Sequence, residues 1–370
     1  VRVLFAGGGT GGHLYPALAI ARALVRRRPD VRPHFVGALR GIEREVLPST
    51  EFAHTLLDLH PLYRSAPWRN WRTMLGLARG MKSVAALHRV ERVRLAVATG
   101  GYASGATLAF AALRGIPYAL QEQNAFPGRT IVTFSRWAAE TYLGFPEAVA
   151  GLPAAARARA YDLGNPIEPP SLSGERGSED AALDRAHWGF GDAVRFVVLA
   201  FGGSQGSAAL NRMIDAWITR GLPPGVGVIW GTGAGDYARY ADRQSATVVV
   251  RAYLAPIRDA YAVAEAAVAR AGAMTTAELC AWGIPMLLVP LPTAAADHQT
   301  ANARTLAACG AAEWIAEAEA SAEHVERFVR ALSSDADLRQ GRVRAALARA
   351  RPDAAAKIAE RLDHLLGSLT

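Results

Sequence analysis

Three times along this chain a short apolar run breaks into glycines and resumes as a helical pattern. Val1–Ala6 leads into Gly7-Gly8-Gly9-Thr10-Gly11-Gly12-His13, and Leu95–Thr99 into Gly100-Gly101-Tyr102-Ala103-Ser104-Gly105. The run from Arg195 leads into Gly202-Gly203-Ser204-Gln205-Gly206. A continuous apolar run of this length reads as a strand buried on both faces of a parallel sheet. A glycine turn followed by a helix start is where such sheets admit ligands. The plan occurs twice in the first half and once in the second, and 370 residues exceed what one core usually covers. Two α/β domains facing across one cleft are therefore expected, divided at the proline-rich stretch Leu163–Leu172. The ranges are 1–164 and 165–344, with a helical tail at about 345–370, interrupted by Pro352, packing back on the first domain. The polar, acidic stretch Leu172–Asp184 reads as a mobile excursion.

The stretch Ala271–Asn302 carries most of the chemistry. Gly272 precedes Thr275, Thr276 and Glu278, which open a helix to about Trp282, and Gly283 and Pro285 stop it. Met286–Val289 reads as a buried strand, and the small-residue loop after it brings Asp297, His298, Gln299 and Asn302 to another helix start. Two helix N-termini and a strand end converge there, which suits an anion. Glu278 and Gln299 are placed to bond hydroxyls, so a sugar nucleotide fits. A plainer reading stands beside it: Thr275-x-x-Glu278 also matches a capping box, in which Glu278 only satisfies a backbone N–H.

Gly7, Gly9 and Gly12 match a dinucleotide fingerprint, but His34–Gly41 ends without the acidic residue that ribose recognition needs, and Glu43 comes late. The loop then suits backbone N–H groups approaching a diphosphate or an acceptor. His13, where the loop becomes a helix, is either a polar helix-start residue or a general base, since a neutral imidazole at a positive helix end can take a proton. Gln121-Glu122-Gln123-Asn124 is another polar cluster at a strand end.

The net charge of +8 points to an anionic partner. Leu62–Val90 holds Arg64, Arg69, Arg72, Arg79, Lys82 and Arg89 with no acidic residue. Trp71, Met74, Ala78, Met81 and Ala85 form one helical stripe, which is either core or, with Trp68, a surface for anionic lipid. No stretch reaches membrane-span length, and no RNA-binding signature is present, so nucleic acid is not expected as a partner. Cys280 and Cys309 read as reduced core residues of a cytosolic protein. Asp335-Ala336-Asp337 imitates a metal-binding D-x-D but sits at a helix start, where it reads as a cap.

The motifs GGGTGGHLYPALAIA (7–21), TGGYASG (99–105), QEQN (121–124), GNP (164–166), FGGSQGS (201–207), GAMTTAE (272–278) and DHQTANA (297–303) follow one another as in the MurG family, which the chain resembles over nearly its whole length. These are UDP-N-acetylglucosamine–N-acetylmuramyl-(pentapeptide) pyrophosphoryl-undecaprenol N-acetylglucosamine transferases of peptidoglycan synthesis, serving cell shape and division. The resemblance implies a GT-B fold of two Rossmann-like domains and an inverting transfer of GlcNAc from UDP-GlcNAc to the C4 hydroxyl of MurNAc in lipid I. No metal or other cofactor is implied, and the enzyme would work peripherally on the cytoplasmic face of the membrane. Carried over by motif, Ser204 meets the diphosphate and the backbone of Leu254 the uracil. Ala273, Met274, Thr275, Thr276, Ala277 and Glu278 cradle nucleotide and sugar, with Glu278 toward the ribose. Gln299 holds the GlcNAc hydroxyls with His298 nearby. Thr10, Gly11, Gly12, His13 and Asn124 face acceptor and donor sugar, His13 as base. One departure stands out: Glu168 occupies a position where the family commonly has arginine, which leaves Arg251 as a substitute or donor affinity weaker. Another GT-B enzyme, a UDP-GlcNAc 2-epimerase or a glycolipid glycosyltransferase, is the nearest alternative; an epimerase would have no use for a basic, Trp-bearing face.

Overall fold

A computed structural model of the chain describes residues 1–60, 68, 70–170, 185–203 and 205–368. The stretch Leu172–Asp184 and Ser204 lie outside the described residues, as do Arg64 and Arg69. The chain forms two compact units, Val1–Glu168 with Arg351–Thr370, and Pro169–Ala350.

The first unit is built on a parallel sheet of β1 (Arg2–Gly7), β2 (Arg32–Ala38), β3 (Ala53–Leu57), β4 (Val93–Gly100), β5 (Tyr118–Glu122), β6 (Glu140–Leu143) and β7 (Ala160–Asp162), in the order β3-β2-β1-β4-β5-β6-β7. The sheet order turns back between β1 and β4, the two strands that end in glycine turns, which is the switch point of such a sheet. The strands are apolar on both faces because helices cover both: α1 (Gly11–Arg27), α2 (Asn70–Val90) and α3 (Ser104–Leu113). The second unit has β8 (Phe196–Phe201), β9 (Val226–Gly231), β10 (Val248–Arg251), β11 (Ala266–Ala269), β12 (Met286–Leu288) and β13 (Ala312–Trp314), ordered β10-β9-β8-β11-β12-β13 and again all parallel. Its longer helices are α4 (Ala208–Arg220), α5 (Ala273–Ala281), α6 (His298–Ala308), α7 (Ala322–Ser334) and α8 (Ala336–Arg349).

The last helix, α9 (Ala354–Gly367), belongs to the first unit. Its Ile358, Ala359, Leu362 and Leu366 enter the core beside Leu14, Leu18 and Ala21 of α1. Arg361 grips Glu140 with two bonds of 2.7 and 2.6 Å and lies 3.5 Å over the ring of Tyr161. The crossing back falls at Ala350/Arg351, beside Pro352, so residues 345–349 stay with the second unit as the end of α8. The first crossing falls at Glu168/Pro169, a few residues beyond 164. Asn165 explains the delay: buried, it accepts from Gln121 Nε2 at 3.0 Å and donates to the Gln123 carbonyl at 2.9 Å.

Of the stripe on α2, Trp71 and Met74 are exposed while Met81 and Ala85 pack against the core, so both readings of it apply, each to one end. The closest packing is at Gly76, Gly80 and Val84; a Cβ at Gly76 would come within 2.8 Å of the Asp58 carbonyl and one at Gly80 within 2.9 Å of Ala106 Cβ. That close approach sets the helix's rotation and turns Trp71, Met74 and Leu75 outward. The cysteine reading is corrected in part. Cys280 is buried, its thiol pushed up to about 12 by desolvation, but Cys309 is exposed at the end of α6. Asp335 does cap α8, accepting the Leu338 N–H at 2.9 Å.

Candidate active site

In the first unit the glycine turns after β1 and β4 enclose His13. Its Nδ1 lies 2.9 Å from the Thr99 carbonyl and 2.9 Å from Gln123 Oε1. The amide of Gln123 is fixed because its Nε2 donates to the Thr99 carbonyl at 2.9 Å and to the Gln121 carbonyl at 3.1 Å. Both partners of Nδ1 are therefore acceptors, and in the neutral ring Nδ1 carries the proton while Nε2 keeps its lone pair. Thr99 closes the arrangement by donating its hydroxyl to the His13 carbonyl at 2.7 Å. Gly100 (φ +96°) and Gly101 (φ +75°) leave room for the ring: a Cβ on Gly101 would stand 2.2 Å from the Gly8 carbonyl and 3.2 Å from His13 Cδ2.

Thr10 caps α1 through its carbonyl, and its exposed hydroxyl makes no capping bond. Gly11 and Gly12 are the first residues of the helix, so their N–H groups have no partner inside it. Asn124 follows β5 and is held by Glu122, whose Oε1 accepts its N–H at 2.9 Å and its Nδ2 at 3.1 Å. Glu122 Oε2 accepts the Gly128 N–H at 2.7 Å, so this buried carboxylate orders the whole turn. Gly9 departs from expectation: its N–H is occupied from inside by Glu43 Oε1 at 2.9 Å and does not reach outward.

In the second unit the polar residues gather at the C-terminal ends of β8, β11 and β12. Gly206 presses on the Thr232–Gly233 turn, and a Cβ there (φ +75°) would meet the Thr232 carbonyl at 2.3 Å. Ser207 caps α4 by accepting from Leu210 N–H at 3.3 Å. Beneath it lies Arg270, the residue after β11, which the sequence reading passed over. Nη2 of Arg270 donates to Ser207 Oγ at 2.8 Å and pairs with Glu317, while Nη1 donates to the carbonyls of Val289 (3.0 Å) and Pro290 (3.2 Å). A buried guanidinium thus joins the glycine loop to the loop after β12.

The N-cap of α5 is Gly272, not Thr275, and no side chain caps it. Ala273, Met274 and Thr275 form the first turn, whose N–H groups find no carbonyl within the helix. The capping-box reading of Glu278 is thereby overturned. Glu278 stands well inside the helix and accepts the hydroxyl of Tyr261 at 2.7 Å. Burial and this carboxylate push the Tyr261 phenol well up. Thr276 is corrected in part: its hydroxyl turns back to the Gly272 and Ala273 carbonyls at 3.1 Å and its N–H bonds Gly272 at 2.9 Å, so neither faces a ligand. Ala277 is half-buried on the same helix. Gln299 accepts from Leu291 N–H at 2.9 Å, which fixes its amide oxygen inward. His298 is half-buried and its Nδ1 meets the Ala295 carbonyl at 2.7 Å. Just before them Ala296 and Asp297 both hold φ of +54°, a region that costs a side-chain-bearing residue roughly 1–2 kcal/mol. Leu254 is buried against Gly231, and Arg251 stands exposed at the end of β10.

Residues 3–143 match the glycosyltransferase family 28 N-terminal domain, and residues 197–359 the glycosyltransferase family 28 C-terminal domain. The chain is 38% identical over 380 residues to a protein of Desulforudis audaxviator named UDP-N-acetylglucosamine–N-acetylmuramyl-(pentapeptide) pyrophosphoryl-undecaprenol N-acetylglucosamine transferase, with 100% of each covered. A Salinibacter ruber protein of the same name is 39% identical, covering 96% of this chain and 95% of its own. The crystal structure of Acinetobacter baumannii MurG superposes with a TM-score of 0.75 at 26% identity, covering 98% of this chain and 99% of that one. The chain belongs to the MurG family.

The candidate residues thus fall into two groups, one around the His13 imidazole in the first unit and one at the helix starts and strand ends of the second. Arg270 is a further buried residue of the second group, and its signal in the sequence was a lone arginine directly after an apolar run.

Proposed function

We propose that this enzyme transfers N-acetylglucosamine from UDP-GlcNAc to the C4 hydroxyl of MurNAc in undecaprenyl-pyrophosphoryl-MurNAc-pentapeptide, lipid I, giving lipid II and UDP. The observation that carries the reading is the full-length correspondence with transferases of that name. Supporting it, His13 is held in the tautomer that a base needs. Nε2 of His13 takes the proton of the C4 hydroxyl as its oxygen attacks the anomeric carbon. The bond to the UDP oxygen breaks on the opposite face, so an α-linked donor gives a β-1,4 product. Backbone N–H groups of the glycine loop and of the first turn of α5, with the helix dipoles, meet the charge that grows on the leaving diphosphate. On this reading no metal is needed. Radiolabelled UDP-GlcNAc with a lipid I analogue in chelator should yield labelled lipid; donor binding without transfer would redirect the reading to an epimerase or another acceptor.

Glu278 is taken to bind the ribose. E278A should weaken UDP binding roughly 10- to 100-fold in calorimetry, the worth of a hydrogen bond to a charged group. Its loss also removes the acceptor of the buried Tyr261 hydroxyl, about 1–3 kcal/mol of stability. Unchanged affinity with a lowered melting temperature would reduce Glu278 to a partner of Tyr261.

Access to a lipid-linked acceptor calls for a membrane surface. No helix among the described residues is long and apolar enough to cross a bilayer. Trp68, Trp71, Met74 and Leu75 are exposed together, with Arg72 stacked 5.3 Å from the Trp71 ring and Arg79 and Lys82 also exposed. This face is read as a peripheral dock on the anionic, cytoplasmic side of the membrane, where each cation adds about 1 kcal/mol. Replacing Trp68 and Trp71 by serine should lower binding to anionic vesicles by roughly tenfold or more, the worth of one fully buried large apolar side chain. Equal sedimentation of variant and wild type with the vesicles would sink this.

A further inference from the structure

Glu43 is fully buried, in a short helix just after β2. Its Oε1 accepts the N–H of Gly9 at 2.9 Å and that of Ala38 at 3.1 Å, while Oε2 has no hydrogen-bond partner. Three glycines make room for it. A Cβ at Gly8 would fall 1.7 Å from Oε1, one at Gly41 1.9 Å from Oε2, and one at Gly37 2.9 Å from the Glu43 Cβ. These glycines lie in the loop after β1, in β2 and in the turn behind it, so separate backbone segments are shaped around a single carboxyl group. Burying a carboxylate with two N–H partners and an idle oxygen is costly. The loop between a first strand and its helix is also where doubly wound sheets seat a ligand's phosphate on backbone N–H groups. Here the Gly9 N–H is claimed from within.

We propose that Glu43 is a positioning residue for the transfer. Its carboxyl oxygen acts as an internal acceptor that holds the first glycine loop, and through it the start of α1 with His13, in one conformation. It also keeps the Gly9 amide from a substrate phosphate, which leaves diphosphate binding to the second unit. This rests on the transferase reading.

Two variants separate acceptor from bulk: E43M keeps the length without an acceptor, and E43Q keeps the acceptor oxygen. With saturating lipid I analogue, kcat of E43M should fall roughly 10- to 100-fold, as a misplaced catalytic group does. KM for UDP-GlcNAc should stay within about twofold in E43M, since a loss confined to the reacting geometry leaves uniform donor binding intact. E43Q should hold kcat within about threefold, because a neutral acceptor bond is roughly half as strong as a charge-assisted one and still fixes the loop. Hydrogen exchange at the Gly9 amide should be slow in wild type and E43Q and fast in E43M. A wild-type kcat in E43M would overturn the proposal, as would equal losses in E43Q and E43M, or a loss that disappears on correction for folded fraction by near-UV circular dichroism. Wild type failing to label lipid I would instead count against the transferase reading, and the Gly9 exchange rates would still decide whether Glu43 holds the loop.

Discussion

H13A should lower kcat by about 10²- to 10⁴-fold, the usual worth of a positioned general base. The geometry makes the loss specific. Nδ1 is committed to the Thr99 carbonyl and Gln123 Oε1, so the only ring atom able to accept a proton is Nε2. On the proposed reading donor binding belongs mainly to the other unit, so the KM for UDP-GlcNAc should change by less than about twofold, the pattern of an interaction made only in the transition state. Steady-state assays over a donor series would show it. A rise in KM at unchanged kcat would mean that His13 binds sugar and another group takes the proton.

R270M should produce the largest loss of stability. It removes the cation from a buried pair with Glu317 and strips the Val289 and Pro290 carbonyls and Ser207 of their donor. Breaking such a pair costs about 3–5 kcal/mol, and the lower end applies because Glu317 keeps 29% of its side chain in solvent. For a unit of this size that is a fall of roughly 6–12 °C in melting temperature. Since Leu291, the next residue, donates to Gln299, the substitution should also loosen sugar binding. R270K tests the geometry: an ammonium replaces the charge but cannot fork toward four oxygens. If R270K matched wild type in both melting and donor KM, charge alone would be enough and the bridging account would fail.

The glycine turns and their strands were legible because apolar runs ending in glycine have few other meanings. Other parts were not, for physical reasons. β11 is Ala266-Ala267-Val268-Ala269, a composition that suits a helix as well, and only its place between β8 and β12 makes it a strand. α2 carries a convincing Trp/Met stripe, yet two glycines able to approach backbone closely decide which face is buried. Glu278 satisfies a capping pattern on paper; its partner is Tyr261, seventeen residues earlier and adjacent only after folding. The lateness of Glu43 argued against a dinucleotide, and its actual partner, Gly9, lies 34 residues earlier, just after the neighbouring strand β1. In each case the local pattern was real and a long-range contact settled its meaning. Ser204, central to the donor half-site by motif, falls outside the described residues.

The first unit is discontinuous: residues 1–168 need α9, made after the whole second unit, to cover α1. On a ribosome adding about 5–20 residues per second, the roughly 180 intervening residues take some 10 to 40 s to emerge. Throughout that wait Leu14, Leu18 and Ala21 would present a bare apolar stripe, so the first unit is a natural client for a chaperone during synthesis. The second unit, continuous in sequence, can finish folding first.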